Sequence, residues 1–133
     1  MILAAALLAA SVRAEAAPAA QPAKFRPTIT GNWQTPARGC SINLYFGSIG
    51  TGIDALSARN VRRLLEQDPA VLWVQPYLRG REGEVELCVK VRPSRATTRL
   101  FGDIKSVLPK RRSGAWVTVR TSSGLTFSNA QNR

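Results

Sequence analysis

One segment of the chain has residue types suited to binding a small ligand: a glycine-rich run between a predicted strand and a predicted helix. Backbone N–H groups exposed in such a loop, together with the positive end of the helix dipole, attract anions. The spacing is neither G-x-G-x-x-G nor that of a phosphate-binding loop with its lysine, so a tight strand-to-helix turn is the alternative interpretation. The candidate ligand-binding residues are Gly47, Ser48, Gly50, Thr51 and Gly52.

Three kinds of protein that bind ligands at the equivalent loop indicate which ligand classes are expected here. The acylphosphatase pattern requires an arginine here, and the metal-binding ferredoxin-like proteins require Cys-x-x-Cys; both are absent from this loop. Regulatory domains of the ACT type bind small ligands at the same position. The loop therefore suggests an anion- or metabolite-binding regulatory domain as one possible function.

Catalytic and metal chemistry are poorly represented in the chain, which has no histidine and two cysteines. The absence of histidine excludes Ser-His-Asp and Cys-His catalysis and histidine-ligated metals. Two cysteines are too few for an all-cysteine zinc site or an ordinary iron–sulfur cluster. No nucleophile, base and orienting group are recognisable together. We therefore expect a protein that is not an enzyme and that carries no metal or cofactor.

The elements that would position these residues follow from hydrophobic periodicity. Alternating apolar residues predict half-buried strands, and apolar residues at helical spacing predict two helices, with Asp54 and Ser94 as N-caps. The order β-α-β-β-α-β predicts an α+β, ferredoxin-like sandwich: an antiparallel sheet with both helices on one face. Pro76 then places the second strand at an edge. The predicted strands are 41–48, 71–79, 84–92 and 115–121, the helices are 53–67 and 93–108, and short extra strands lie near 28–30 and 125–127.

The chain divides into four predicted regions. An apolar run that ends in Ala14-Glu15-Ala16 predicts a cleaved signal peptide over residues 1–16. Residues 17–39 form a Pro/Ala-rich flexible arm, residues 40–122 form the ferredoxin-like domain, and residues 123–133 form a polar tail. A signal peptide implies a periplasmic or secreted protein.

The sheet face opposite the helices is predicted to be a recognition surface. Alternate residues of a strand face opposite sides of the sheet, and on each strand the more apolar set should face the helices. On the second strand this set includes Leu72 and Leu78. The other set is left on the open face. A second subunit, Phe25 and Trp33 of the arm, or Phe127 of the tail could instead cover this face, because large apolar surfaces are rarely left bare. The aromatic residues of the open face are Tyr45, Trp73, Tyr77 and Trp116. The same face also contains Glu84, Glu86, Cys88, Lys90, Arg79 and Arg120.

The net charge of +11 favours an anionic partner, such as nucleic acid, lipid head groups or an acidic polymer. In an exported protein we expect the partner to be an unknown envelope protein or an anionic polymer. Solubility is the simpler explanation of the same charge. RNA-recognition motifs have this topology but place aromatic residues on the third strand, where this chain has Glu84, Glu86 and Cys88. Nucleic acid is therefore disfavoured as a partner. The basic helices, with Arg59, Arg62, Arg63, Arg95, Arg99 and Lys105, are a second candidate contact surface.

The two cysteines, Cys40 and Cys88, could form a disulfide in an exported protein. Their parities differ, and a parallel pairing of the first and third strands would leave them about 13–16 Å apart. That exceeds the roughly 7 Å limit for the Cα atoms of a disulfide. A bend at Gly39 or a shifted register would bring the two residues together, so the sequence leaves the bond open.

Two resemblances accompany these patterns. The run from FGSIGTGID to GREGEVELCV resembles small exported proteobacterial proteins, a likeness that covers the domain and implies no activity. FGS followed by LLEQDPAV resembles the peptidoglycan-binding C-terminal domain of outer-membrane protein A. That domain carries a T-D-x-x-G segment, where this chain has Gln75-Pro76-Tyr77. The acidic residue that the family uses for the peptide stem is therefore missing.

Overall fold

The computed structural model describes residues 23–30, 39–111 and 114–130. The predicted signal peptide, Trp33 and the last three residues lie outside them. As predicted, the architecture is α+β, with two helices and a six-stranded sheet. In chain order the elements are β1 (Ile29–Thr30), β2 (Ile42–Ser48), α1 (Ala55–Gln67), β3 (Val71–Leu78), β4 (Val85–Val91), α2 (Ala96–Val107), β5 (Ala115–Thr121) and β6 (Thr126–Ser128). Neither helix in the described part of the chain is long and apolar enough to cross a membrane.

The strand order across the sheet is β1-β3-β4-β2-β5-β6. Four of the five neighbouring pairs are antiparallel, whereas β1 runs parallel to β3. The expectation of a purely antiparallel sheet is therefore wrong. The arm enters the sheet alongside β3, which is where the parallel pair arises.

Part of the predicted arm adds to the edge of β3 before β1 begins. The N–H of Val74 donates to the carbonyl of Lys24, and the N–H of Arg26 donates to the carbonyl of Val74, both at 2.9 Å. The pairing of the arm with β3 is then interrupted until Ile29. Pro76, which has no N–H to donate, lies in this interruption. The arm therefore covers β3, and Pro76 marks the interruption and not the outer edge of the sheet.

Both helices pack on one face of the sheet. Val61 and Leu65 of α1 and Leu100 and Ile104 of α2 are 0% exposed and belong to one hydrophobic cluster with alternate residues of the strands. The strand residues buried in that cluster include Ile42, Leu44, Phe46, Val74, Val89, Val117 and Val119. The opposite parity of each strand forms the open face.

The predicted inward residues of β3 are wrong at two positions. Leu72 is 43% exposed and Leu78 is 41% exposed. The register between β3 and β4 shifts between Val71 and Trp73, so Leu72 is the extra residue of a β-bulge and its parity is lost. Leu78 is the last residue of β3, next to the hairpin turn. Val71 is buried at the start of the strand instead.

The two helices begin differently. Asp54 is the N-cap of α1, as predicted, and its carboxylate accepts from the Ser57 N–H at 3.2 Å and from the Ser57 hydroxyl at 2.6 Å. The prediction that Ser94 caps the second helix is wrong. Arg95 precedes Ala96 in a helical conformation, and no side chain hydrogen-bonds to this terminus. The first turn of α2 contains no acidic residue either.

Cys40 and Cys88 form a disulfide, with their Cα atoms 5.2 Å apart. The parallel pairing that argued against it is wrong: β2 and β4 are antiparallel, and Cys88 lies opposite Asn43. Cys40 precedes β2 and follows Gly39, whose φ of 77° provides the bend that the bond requires. The disulfide is typical of proteins that fold in an oxidising, extracellular compartment.

The C-terminal tail also belongs to the sheet. β6 pairs with β5, and Asn129 beyond it is 1% exposed. The Asn129 side chain accepts from the Val117 N–H at 2.6 Å and donates to the Pro109 carbonyl at 3.0 Å. The sheet therefore extends past the predicted bounds of the domain on both sides.

Candidate functional site

The open sheet face contains a transverse row in which two tyrosines flank a glutamate. Glu86 of β4 pairs with Tyr77 of β3 on one side and with Tyr45 of β2 on the other. The Glu86 carboxylate accepts from Arg79 Nε at 2.7 Å and from Asn43 Nδ2 at 2.5 Å. The Arg79 guanidinium also lies 4.9 Å from the centroid of the Tyr77 ring. Half-buried aromatic rings and a satisfied ion pair thus fix the middle of this face.

The environment of Tyr45 disfavours its ionised form. Burial raises the pKa of the Tyr45 phenol above its ordinary value of 10.0, and the negative charges of Glu84 and Glu86 raise it further, while Arg79 opposes them. Tyr45 is therefore a neutral hydroxyl at physiological pH. It can donate or accept a hydrogen bond at the centre of the face.

Trp116 forms one end of the aromatic face by lying over a glycine. Gly47 is the cross-strand partner of Trp116, and a Cβ built on Gly47 would lie 2.5 Å from Trp116 Cζ2. The absence of a side chain at Gly47 is what allows the indole to lie on the strand. Gly47 and Ser48, which the sequence assigned both to the strand 41–48 and to the glycine loop, are the last two residues of β2.

Trp73 forms the opposite end of the face. Its cross-strand partner is Lys90, and the guanidinium of Arg26 lies 4.1 Å from the centroid of its ring. Arg26 comes from the arm segment that pairs with β3. A cation over a tryptophan face is a favourable contact, so the arm adds positive charge to this end of the face.

The two aromatic residues proposed as a cover lie on the other side of the sheet. Phe25 packs against the core beneath Arg62 of α1, whose guanidinium lies 4.2 Å from the ring centroid. Phe127 also packs against the core, with the Lys105 amine of α2 5.6 Å from its ring. Neither residue covers the open face. Tyr45, Trp73, Tyr77 and Trp116 are each half-buried within the described part of the chain.

The glycine loop forms the turn between β2 and α1. Gly50 and Gly52 have φ values of 92° and 81°, conformations that favour glycine. The first free N–H groups of α1 face the buried carboxylate of Asp54, which also brings negative charge to the positive end of the helix. An added anion would meet that charge. The geometry favours the turn interpretation over a ligand site.

The basic helices are partly neutralised by their own acidic residues. Arg62 pairs with Glu66 at 3.1 Å. Arg99 pairs with both Asp68 and Asp103 at 2.8 Å. Arg59 and Arg63 are exposed and form no ion pair with another described residue. Two of the six basic residues of the helices are therefore paired with carboxylates, whereas the open face keeps its four aromatic residues together.

Within the described residues, no group of three or more His, Cys, Asp or Glu side chains is placed to hold a metal ion. No protein-family model and no curated protein matches this chain. Its function must therefore be argued from its own surfaces.

Sequence reasoning found the four aromatic residues of the face. Because Arg79 follows Tyr77 by two residues, it also placed Arg79 on the same side of the strand. It missed Arg26, which lies over Trp73. Arg26 gave no comparable signal, because its position depends on the arm pairing with β3.

Proposed function

We propose that this protein is a small exported, non-enzymatic interaction module that binds an acidic protein partner through the open face of its sheet. The observation that carries the proposal is the grouping of Tyr45, Trp73, Tyr77 and Trp116 on one face, with Phe25 and Phe127 on the other. The surface so defined is called the aromatic face below.

The residue types on the aromatic face support a protein as the ligand. Tryptophan, tyrosine and arginine are the residues most enriched among those that dominate binding energy at protein interfaces. Arg26 and Arg79 lie over Trp73 and Tyr77, so the rings and the cations are already oriented. A surface that is ordered before binding loses less side-chain entropy on association.

Charge supports an acidic partner over a second copy of the chain. Each copy carries a net charge of +11. Like charges oppose self-association, whereas an acidic partner is attracted and its encounter is accelerated. Three basic residues, Arg26, Lys90 and Arg120, lie around the aromatic face. Their positive charge favours acidic partners.

We propose further that the domain is ferredoxin-like and that the protein is periplasmic or secreted. The inner strand order β3-β4-β2-β5, with two helices on one face, supports a ferredoxin-like unit to which β1 and β6 are additions. The disulfide supports a periplasmic or secreted location.

Site-specific photo-crosslinking in the producing cell tests the face directly. A benzoylphenylalanine at Thr118, which lies beside Tyr45 on β5, should give a covalent adduct with one acidic protein. The same group at Arg63, exposed on α1, is the matched control. Adducts only from position 63, or only with a second copy of the chain, would contradict the proposal.

The captured partner then permits a quantitative test. With the purified partner, the Trp73→Ala variant should associate about tenfold or more weakly than the wild type does, as expected for the loss of a central aromatic contact. The free energy of unfolding should change by about 1 kcal/mol at most, because Trp73 is only half-buried. Arg63→Ala should leave the association unchanged. Equal affinities of the two variants would count against the aromatic face.

A further inference from the structure

A second surface feature lies at the opposite end of the molecule from the glycine loop. A cavity of about 520 Å³ opens where the start of β2, the end of β4, the beginning of α2 and the turn after β5 meet. None of its lining residues is acidic, and most of them are polar. Those that supply positive charge or hydroxyl groups include Lys90, Ser94, Arg95, Thr97, Thr98 and Ser122.

The N-terminus of α2 forms one wall of this cavity. No side chain caps it, and its first turn has no acidic residue. The backbone N–H groups of Ser94 and Arg95 take part in no backbone hydrogen bond among the described residues. The positive end of the helix dipole therefore faces the cavity without the compensation that Asp54 gives α1.

Thr97 gives an independent indication of a ligand. Its side chain belongs to the inner stripe of α2 and is 6% exposed, yet it lines the cavity. Its hydroxyl forms no hydrogen bond with another residue of the described ranges. The residue is thus more than nine-tenths buried while its hydroxyl has no partner among those ranges, so a ligand oxygen in the cavity can accept a hydrogen bond from it.

Two cations flank the same space. Lys90 is half-buried, and its closest partner is the Gly39 carbonyl at 3.5 Å. Arg95 is exposed. Neither forms an ion pair within the described part of the chain. Two positive charges, a helix N-terminus and several hydroxyl donors converge from different directions.

We propose that this cavity binds a tetrahedral oxyanion, the phosphoryl or sulfate group of a small molecule. Donors that approach from several sides suit a tetrahedral anion better than a planar carboxylate, and two cations suit a dianion. Arg95 supplies a guanidinium fork, Lys90 a point charge, and the α2 terminus its backbone N–H groups.

The disulfide contributes to the site, because Cys40 and Gly39 form the wall opposite α2. The bond to Cys88 fixes that wall to the centre of the sheet. Reduction of the bond would release it. We therefore expect the oxyanion to bind more weakly to the reduced protein.

Titration of the full chain with inorganic phosphate and, separately, with glycerol 3-phosphate tests the site at constant ionic strength. The amide resonances of residues 94–98 should shift and reach saturation. Comparison of the two affinities shows whether the site prefers free phosphate or a phosphomonoester. Arg95→Ala and Lys90→Ala should each weaken binding by about tenfold, the effect of losing one hydrogen bond to a charged group.

Arg63→Ala removes one exposed cation elsewhere and is the matched control. It should bind as the wild type does. Shifts that do not saturate, or an equal loss in Arg95→Ala and Arg63→Ala, would overturn the proposal, because both results would mean general charge attraction. The two cavity variants change residues outside the hydrophobic cluster, so their thermal unfolding should match the wild type and exclude a folding defect.

Discussion

At the residue scale, Gly47 determines whether the aromatic face exists in its present form. Its backbone lies directly under the Trp116 indole. Gly47→Ala should displace the ring and lower the free energy of unfolding by about 1–3 kcal/mol, the range for an overpacked contact. Gly102→Ala on α2 meets no atom within 4 Å and is the matched control. It should be neutral or stabilising by up to about 1 kcal/mol. Equal effects of the two changes in chemical denaturation would contradict the contact.

Tyr45 reports on the electrostatics of the same face. Because burial and the two glutamates hold its pKa above 10.0, the tyrosinate should form at a higher pH than in the unfolded chain. The free energy of unfolding should therefore fall as the pH rises above about 10. Tyrosinate absorbance of the wild type, with Tyr45→Phe to assign it, measures the titration.

Glu84→Gln removes one of the two negative charges and should lower the pKa of Tyr45 without returning it to its ordinary value, since burial remains. An unchanged Tyr45 titration in this variant would contradict the contribution of Glu84.

At the scale of elements, Asp68 connects the end of α1 to α2. The Arg99 side chain that donates to Asp68 holds the pKa of its carboxyl below the ordinary 3.8, against the effect of burial, and the Ala70 N–H adds to the shift. The folded state thus favours the carboxylate. The resulting stability is present above about pH 4 and is lost as the pH falls through the folded pKa.

Asp68→Asn should therefore lower the melting temperature at pH 7, and the difference from the wild type should narrow as the pH falls toward about 2. Asp103→Asn removes the other, more exposed partner of Arg99 and should have a smaller effect. A difference that is independent of pH would show that the charge of Asp68 is not the cause.

The disulfide links Cys40, just before β2, to Cys88 in β4 at the centre of the sheet, across a sequence separation of 48 residues. Replacing both Cys40 and Cys88 by alanine should lower the free energy of unfolding by about 2–4 kcal/mol, mainly because the unfolded chain gains freedom. Intact mass after alkylation should show no modified cysteine unless a reductant is added first. Two alkylations without reductant would contradict the bond.

The elements that could be predicted from the sequence are those whose signals are local. The apolar alternation predicted β2 and β5, and Asp54 predicted the start of α1 because a cap needs only the next three residues. Where contacts between distant segments decide, prediction failed. The bulge at Leu72 depends on pairing with β4, and the disulfide depends on the direction of β2 against β4.

The same distinction applies to the candidate sites. The four aromatic residues share a parity and could be placed together. The cavity at α2 could not be found, because it brings Lys90 of β4, Ser122 after β5 and Thr97 of α2 to one place. Residues from three separate stretches of the sequence, 39–41, 90–98 and 122–123, meet there, and none of these stretches has a ligand motif of its own.

At the scale of the whole molecule, the net charge of +11 should make acidic ligands sensitive to salt. Binding to polyglutamate, used as a simple acidic chain, should weaken steeply between low and physiological salt, because the attraction is screened over about 10 Å at 0.1 M. Light scattering or calorimetry measures the change. An affinity that is the same at both salt concentrations would show that the net charge does not determine which partners bind.

The two edges of the described sheet have a consequence for aggregation. Strand edges with unpaired backbone groups recruit other chains and start aggregates. Here the outermost strands are β1, with two residues, and β6, with three, and they pair with two residues of β3 and three residues of β5. Such short borders leave little backbone for a neighbouring molecule to extend, and so keep a concentrated protein dispersed.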